Sequence, residues 1–359
     1  MAKTLYISDM DGTLLGADSK LSDTSAQIIS DLTRRGANIT VATARTPATV
    51  EIILANAFTS LPAIVMTGAA MWCRDTKRYI NVSYLAEETY HQLMVKCEAY
   101  GVYPFRYALP HGKSMQVYHN GPMAQCEREF VEGRLNLGLK NFHIDAPHGL
   151  LPMLPGVVFF FAMGERERIF ALADDLRASV DCSVSCYVDI FDKNVGLLEL
   201  FAPGVSKAAA VKQLATDIGA DRVVVFGDNL NDIPMMQVAD VAVAVENALP
   251  EVKAIAHHII GANTTDAVPL FIEQDFIEAP DDFGKDNLIS SADDKKALTD
   301  DKLKAILNFI AEHGECKTSE IASFLNLKTT QTKSYIYKLI SDGKIVAKGN
   351  NRNRTYCLA

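Results

Sequence analysis

Four short segments of this chain hold residue types that can move a phosphoryl group: Asp9-Met10-Asp11-Gly12-Thr13, Thr43-Ala44-Arg45, Ser206-Lys207 and Gly227-Asp228-Asn229-Leu230-Asn231-Asp232. A phosphomonoester carries about two negative charges near neutral pH. A carboxylate that attacks it is repelled unless cations neutralise both groups. Asp9, Asp11 and Asp228 are three carboxylates able to hold one hard, oxygen-seeking cation such as magnesium (Mg2+), which cancels charge and orients the phosphoryl group. Lys207 adds a second positive charge. The Thr43 hydroxyl and the Asn231 amide can hydrogen-bond the equatorial phosphoryl oxygens, and Gly12 lets backbone N–H groups approach closely. Residues two apart in a strand-like segment point the same way, so Asp-x-Asp suits a nucleophile beside an acid/base. In this chemistry Asp9 attacks phosphorus and forms an aspartyl phosphate, splitting one hard step into two. Asp11 first protonates the leaving oxygen and then activates the hydrolytic water.

Taken in this order, Asp-x-Asp-Gly-Thr, the Thr after a second strand, a lone Lys and Gly-Asp-x-x-Asn-Asp resemble the haloacid dehalogenase superfamily, over about residues 1–274. The long interval between Thr43 and Lys207 resembles its Cof-type branch, in which an α/β cap sits between the second and third motifs. The resemblance implies that Asp9 is nucleophile and metal ligand. It implies that Asp11 is acid/base and gives the metal a backbone carbonyl, and that Asp228 is a metal ligand. Thr43, Lys207 and Asn231 would hold phosphate, and Asp232 would support the metal shell. Three positions depart from the usual pattern: Thr43-Ala44-Arg45 where Thr-Gly-Arg is common, Thr67-Gly68-Ala69 where Asn-Gly-Ala is frequent, and Ala208 in place of a Gly. None removes a group the mechanism needs. The expected activity is a magnesium-dependent phosphatase of small phosphorylated metabolites, sugar phosphates or nucleotide-like compounds.

The elements that must position these residues follow from the apolar runs. Leu5–Ile7, Ile39–Ala42, Ala63–Met66, 222–226 and 241–244 are short continuous runs separated by helical stretches, the pattern of a parallel sheet covered on both faces. Ligands of such a sheet bind beyond the carboxyl ends of the strands, where these motifs fall. The helix Ser22–Arg35 fits between the first two runs and stops at Gly36. From 83 to 191 longer helices and Pro/Gly loops join runs such as Val157–Ala162 and Val184–Val188, which reads as an inserted α+β cap that supplies specificity. Arg106, Tyr107, His111, Lys113 and Tyr118 are polar cap residues, none of them assigned a role. The sheet pattern of the first domain is expected to resume at Leu197-Leu198-Glu199-Leu200. The expected domains are thus 1–82 with 192–276 as an α/β, Rossmann-like core, 83–191 as cap, 277–297 as an acidic linker and 298–359 as a winged-helix domain.

The whole chain has 359 residues and a formal net charge of −9, with 48% hydrophobic and 22% charged residues. These are ordinary values for a globular protein with a real core, and the acidic balance argues against nucleic-acid binding by the molecule as a whole. No run of 18 or more apolar residues is present, so no membrane span is expected. Thr4–Ser8 reads as a buried strand rather than a signal peptide. Seven scattered cysteines (Cys73, Cys97, Cys126, Cys182, Cys186, Cys316, Cys357) fit a reducing cytoplasm better than a disulfide framework.

The C-terminal stretch differs in character. Residues 277–296 are thin in apolar side chains and carry a net −3, as a solvated linker does. Beyond it, helices are expected over Asp300–His313, Ser319–Leu325 and Thr330–Asp342, with strand-like runs at Ile345–Ala347 and Thr355–Leu358. A helix-turn-helix followed by a basic hairpin resembles the winged-helix family. From Glu315 onward six Lys and two Arg face two Glu and one Asp, a local +5 that leaves −14 for the rest. Such a local charge suits contact with a phosphate backbone. Thr330, Gln331, Lys333 and Ser334 on the third helix, and Arg352 and Arg354 at the hairpin tip, are the candidate contacts to double-stranded DNA. A role in protein interaction is the alternative for this module. For the whole chain, the alternative to a phosphatase is a transcriptional regulator whose first domain senses a phosphorylated ligand.

Overall fold

The apolar run Thr4–Ser8 forms β1, an interior strand of the first sheet in the computed structural model. The structure describes residues 3–110, 114–144, 156–189, 192–276, 303–311, 313–325, 332, 335–336, 339, 344–348 and 355–358. The chain divides into two units, 1–280 and 281–359.

In the first unit β1 leads through a tight loop into α1 (Asp23–Arg34), whose N-cap Ser22 accepts a hydrogen bond from Ser25 N at 2.9 Å. Then come β2 (Asn38–Val41), α2 (Pro47–Ile53) and the antiparallel run β3 (Ala63–Val65), β4 (Ala70–Cys73) and β5 (Arg78–Ile80). A second α+β portion follows: α3 (Glu87–Ala99), β6 (Phe105–Ala108), β7 (Met115–His119), α4 (Gln125–Glu132), β8 (Lys140–Ile144), β9 (Val157–Glu165), α5 (Arg166–Ser179), β10 (Ser183–Val188) and β11 (Val195–Phe201). The chain then returns through α6 (Lys207–Ile218), β12 (Arg222–Gly227), α7 (Ile233–Gln237), β13 (Val241–Val245), α8 (Pro250–Ile255), β14 (His258–Ile260) and α9 (Ala267–Asp275).

The first sheet has the order β14-β13-β12-β1-β2, and every pairing in it is parallel. β1, β2, β12 and β13 are buried almost throughout, which explains their unbroken apolar runs, whereas β14 at the edge is largely exposed. The β3 strand touches this sheet only through the bridge from Ala42 to Ile64 and pairs instead with β4. The second sheet has the order β10-β11-β9-β6-β7-β8. The run Leu197–Leu200 therefore does not rejoin the first sheet, as its apolar character suggested. It lies in β11, antiparallel to both β10 and β9, with Glu199 opposite Phe161 and Ser185.

Side-chain alternation sorts the second sheet into two faces. Phe160 and Arg106 meet Tyr90 of α3, so this face lies under α3, and Gly196 backs onto Ile169 of α5. Phe105 and Phe161 meet Phe130 of α4 on the opposite face, in line with Tyr107, Phe159, Glu199 and Phe201. That opposite face is the one that reaches the first sheet's motifs.

In the second unit residues 303–311 form a helix, α10, followed by β15 (Cys316–Lys317), α11 (Thr318–Phe324), β16 (Ile345–Lys348) and β17 (Thr355–Leu358). The three strands form one antiparallel sheet in the order β15-β17-β16. Leu303, Ile306 and Ile310 of α10 pack with Ile321, Ile336, Leu339, Ile345 and Tyr356 into a separate small core. The stop before α11 is one residue earlier than expected: Lys317 is the N-cap, and its N–H donates to Glu320 at 2.7 Å. Thr330, Gln331, Lys333, Ser334, Arg352 and Arg354 lie outside the described residues, as does the linker 277–297. Among the described residues no helix is long and apolar enough to cross a membrane, and all seven cysteines are free thiols.

Candidate active site

Parallel pairing of β1 with both β12 and β2 brings three strand ends to one edge. Asp9 follows β1, Asp228 follows β12 and Thr43 stands just past β2. The ladder continues past the strands, since Asp9 N donates to Phe226 O at 3.0 Å and Ala42 N to Ser8 O at 2.9 Å. Asp9 is thereby fixed in backbone while its side chain projects beyond the sheet. The chain then doubles back over Met10–Leu14, closed by Leu15 N to Met10 O at 2.9 Å. Gly12 turns this loop with φ +79°, and a Cβ there would overlap the Asp228 carboxylate. No other residue type fits both the conformation and the space. Asn247 donates to Gly12 O at 2.7 Å and pins the loop from the far side.

Lys207 opens α6, whose N-cap Ser206 accepts from Ala209 N at 3.1 Å. Its ammonium is 2% exposed and donates to Asp9 Oδ1 at 2.5 Å and to Asp232 Oδ1 at 2.8 Å. Burial opposes that charge, but the Asp232 and Asp9 carboxylates outweigh it and hold Lys207 protonated, above its ordinary range. Asp232, fully buried, also accepts from the backbone N–H groups of Asp228 and Asn229, both at 3.1 Å. It therefore shapes the loop after β12 as well as facing the lysine. Thr13 donates to Asp228 Oδ1 at 2.7 Å.

One oxygen from each of Asp9, Asp228 and Asp232 lies within 4.8 Å of the others. Burial, then the facing Asp232, pushes the Asp9 carboxyl well up, against the pull of Lys207. Burial likewise lifts Asp228 to about 6. Three carboxylates face the single ammonium of Lys207 in this buried volume, and an all-oxygen donor set of this kind fits a hard divalent cation. The carboxylate cluster differs from the one expected. Asp11 turns its carboxylate away from Asp9 and Asp228 and is clamped by Arg45, with Nε to Oδ2 at 2.6 Å and Nη2 to Oδ1 at 2.5 Å. Asp232 takes the third corner. The reason is that the chain leaves the strand conformation at Met10, the first residue of the turn Met10–Leu14, which breaks the same-side relation that a continued strand would give. Thr43 is buried, and its hydroxyl oxygen accepts from Arg45 N at 3.1 Å. Asn231 stands exposed in the turn Leu230–Asp232, beside the cluster but outside it.

The second sheet adds residues that the motifs do not contain. Glu199, 5% exposed, accepts from the Thr67 hydroxyl at 3.1 Å and from the hydroxyl of Tyr187. Burial lifts its carboxyl to about 7. Thr67 belongs to the stretch Met66-Thr67-Gly68, where φ is +51°, +55° and +94°. A β-branched residue in that region is strained. A Cβ on Gly68 would overlap the Ser206 carbonyl, so this turn abuts the start of α6 directly. Tyr187 lies in the field of Asp11, and Tyr107 in that of Glu199. Glu199 had a sequence signal: it is the one charged residue in the buried run Leu197–Phe201. Arg106 and Tyr118 project from the opposite face, and His111 and Lys113 lie outside the described residues.

Comparison with known proteins bears on this site. Residues 302–353 match a family described as FaeA-like protein. The chloroplastic endoribonuclease YBEY of Arabidopsis thaliana is 24% identical over 283 residues, 72% of this chain but 44% of that protein, so the chain spans less than half of that relative's length. The 5-amino-6-(5-phospho-D-ribitylamino)uracil phosphatase YcsE of Bacillus subtilis is 24% identical over 262 residues, 72% of this chain and 90% of that protein. A haloacid dehalogenase-like hydrolase from Bacteroides thetaiotaomicron shares the fold at 20% identity, with a TM-score of 0.62 over 77% of this chain and 100% of that one. Residues 6–272 match the family of haloacid dehalogenase-like hydrolases, which takes in both sheets and every residue of the cluster. The chain belongs to that family.

Proposed function

We propose that the chain is a phosphatase of small phosphorylated metabolites, acting through an aspartyl phosphate on Asp9. The observation that carries this reading is the buried Lys207–Asp9 contact at 2.5 Å, set inside the Asp9–Asp228–Asp232 cluster at the carboxyl edge of a parallel sheet. In this reading the free oxygen of Asp9 attacks phosphorus, Lys207 and the Thr43 hydroxyl hold phosphoryl oxygens, and Asn231 closes from the exposed side. Asp9, Asp228 and the backbone carbonyl of Asp11 would hold Mg2+, with Asp232 supporting the shell; when bound, that ion supplies positive charge against the phosphoryl oxygens. Asp11, once released from Arg45, protonates the leaving oxygen. It then takes a proton from the water that cleaves the acyl phosphate. Residues 83–191 act as the cap that selects the leaving group, sugar phosphate or nucleotide-like, and the free cysteines favour a cytoplasmic setting.

A panel of sugar phosphates, nucleotides and phosphorylated cofactors tests this reading. Phosphate release is expected with magnesium and is expected to vanish with EDTA and return on adding magnesium. Binding of phosphorylated ligands with no turnover of any would support instead a regulator that senses them.

The second reading concerns residues 298–359. The match to a FaeA-like family and the local charge of +5 from Glu315 onward support a winged-helix module that binds double-stranded DNA. Thr330, Gln331, Lys333, Ser334, Arg352 and Arg354 are its candidate contacts. Selection from a random DNA library with the full chain tests it; recovery of no enriched sequence would count against it.

A further inference from the structure

The face of the second sheet that reaches Thr67 and Asp11 carries two cations that the mechanism does not use. Lys140 is the first residue of β8, in register with Met115 of β7 and only 6% exposed, its ammonium 5.4 Å from the centre of the Phe142 ring. Arg134 follows α4, with its guanidinium 4.0 Å over the Phe130 ring and Nη1 donating to Phe130 O at 3.1 Å. Phe130 marks the face, since it packs on Phe105 and Phe161 beside Tyr107. Among the described residues neither cation has a carboxylate partner. Arg45, which holds Asp11, and Arg134 repel one another, and Arg134 in turn repels Lys140. Burial first, then that repulsion, lowers Lys140 to about 8. The buried acidic groups on this face are already engaged: Glu199 is bonded by Thr67 and Tyr187, and Glu127 of α4 accepts from Ala124 N at 2.7 Å and faces His119.

Two largely buried cations with no counter-ion among the described residues destabilise a fold unless an anion arrives to meet them. The phosphoryl group itself is accounted for by Lys207, Thr43 and the carboxylate cluster. We propose that Arg134 and Lys140, with Tyr107 beside them, form a subsite for a second anionic group on the substrate, carried by the part that leaves with the ester oxygen. The subsite rests on the phosphatase reading and narrows it to phosphomonoesters that are anionic at both ends. Arg134 contributes a planar fork suited to a carboxylate or phosphate, and Lys140 a point charge behind it. The aromatic rings under both keep water away and strengthen the attraction.

The test uses the full-length protein and two matched substrate series: carboxyalkyl phosphates of increasing length against alkyl phosphates of equal length, and sugar monophosphates against the corresponding bisphosphates. The first series reads a carboxylate as the second anion and the other reads a phosphate. In at least one of them kcat/KM is expected to favour the doubly anionic member by about tenfold or more. Arg134→Met and Lys140→Met are each expected to cut that preference by about tenfold, chiefly through KM, and Arg134→Lys to restore part of it. Lys140→Met is also expected to melt no lower than wild type, because it removes an unpaired buried charge. Equal kcat/KM within both series, or variants that lose both members alike, overturns the subsite and leaves the phosphatase reading standing. If the wild type turns over no phosphomonoester at all, that reading fails and the subsite fails with it.

Discussion

At the scale of single residues, the site is a balance of charge in a small buried volume. Lys207 is held between Asp9 and Asp232, and three carboxylates still outnumber it. Glu199 is the residue whose protonation is most open to test away from the carboxylate cluster. Burial lifts it to about 7, so the folded chain keeps a proton that the unfolded chain would release. Its stabilising effect is fully present in acid and is lost as pH rises from the ordinary glutamate range through about 7. Glu199→Gln should remove that dependence. The gain in Tm of the variant over wild type is expected to grow between about pH 5 and pH 7.5, and thermal melts across that range will check it. Asp9, Thr43 and Asp228 stood out in the sequence because each is a reactive side chain just past an apolar run, whereas Lys207 opens a helix beyond the loop 202–206. The partners did not stand out. Nothing in Asp-x-Asp spacing tells that Arg45 takes up Asp11, since that depends on the loop at Gly12 folding back. Nothing local pairs Thr67 with Glu199 across 132 residues of sequence.

At the scale of elements, the parallel first sheet could be read from its apolar runs, which are continuous because both faces are covered. The second sheet misled the reading at β11. Leu197–Leu200 is as apolar as a core strand because helix α5 covers one of its faces and the aromatic run of β9 flanks it, so burial alone could not tell which sheet it joins. Its single charged residue, Glu199, is what links it to the site. The turn Met66-Thr67-Gly68 is the joint between these elements. Gly68 has φ +94° and presses on the Ser206 carbonyl, one residue before Lys207. Gly68→Ala is expected to cost about 1–3 kcal/mol through strain and overlap. Because the displaced element is the start of α6, turnover should fall together with Tm. Urea unfolding and steady-state kinetics on the same preparation check both; full activity with an unchanged midpoint would show that this turn does not position Lys207.

At the scale of the whole molecule, an acidic chain of net charge −9 ends in a segment of net +5. The two units have separate hydrophobic cores, so each has the means to hold its own fold. A chain ending at residue 276 is expected to keep phosphomonoester turnover within about twofold of the full chain and to lose DNA affinity. On the proposal that residues 298–359 bind DNA, the full chain's affinity for it should fall steeply with salt, by a slope of about 0.9 in log units for each phosphate contacted, as titrations at several salt concentrations will show. The central claim, however, concerns one atom of Asp9. Acid-quenching the enzyme during turnover of a radiolabelled phosphomonoester, followed by peptide mapping, tests it most directly. The label is expected on the peptide that contains Asp9 and is expected to be absent from the Asp9→Asn protein. Turnover with no label on the protein, or label on a peptide without Asp9, would contradict the account.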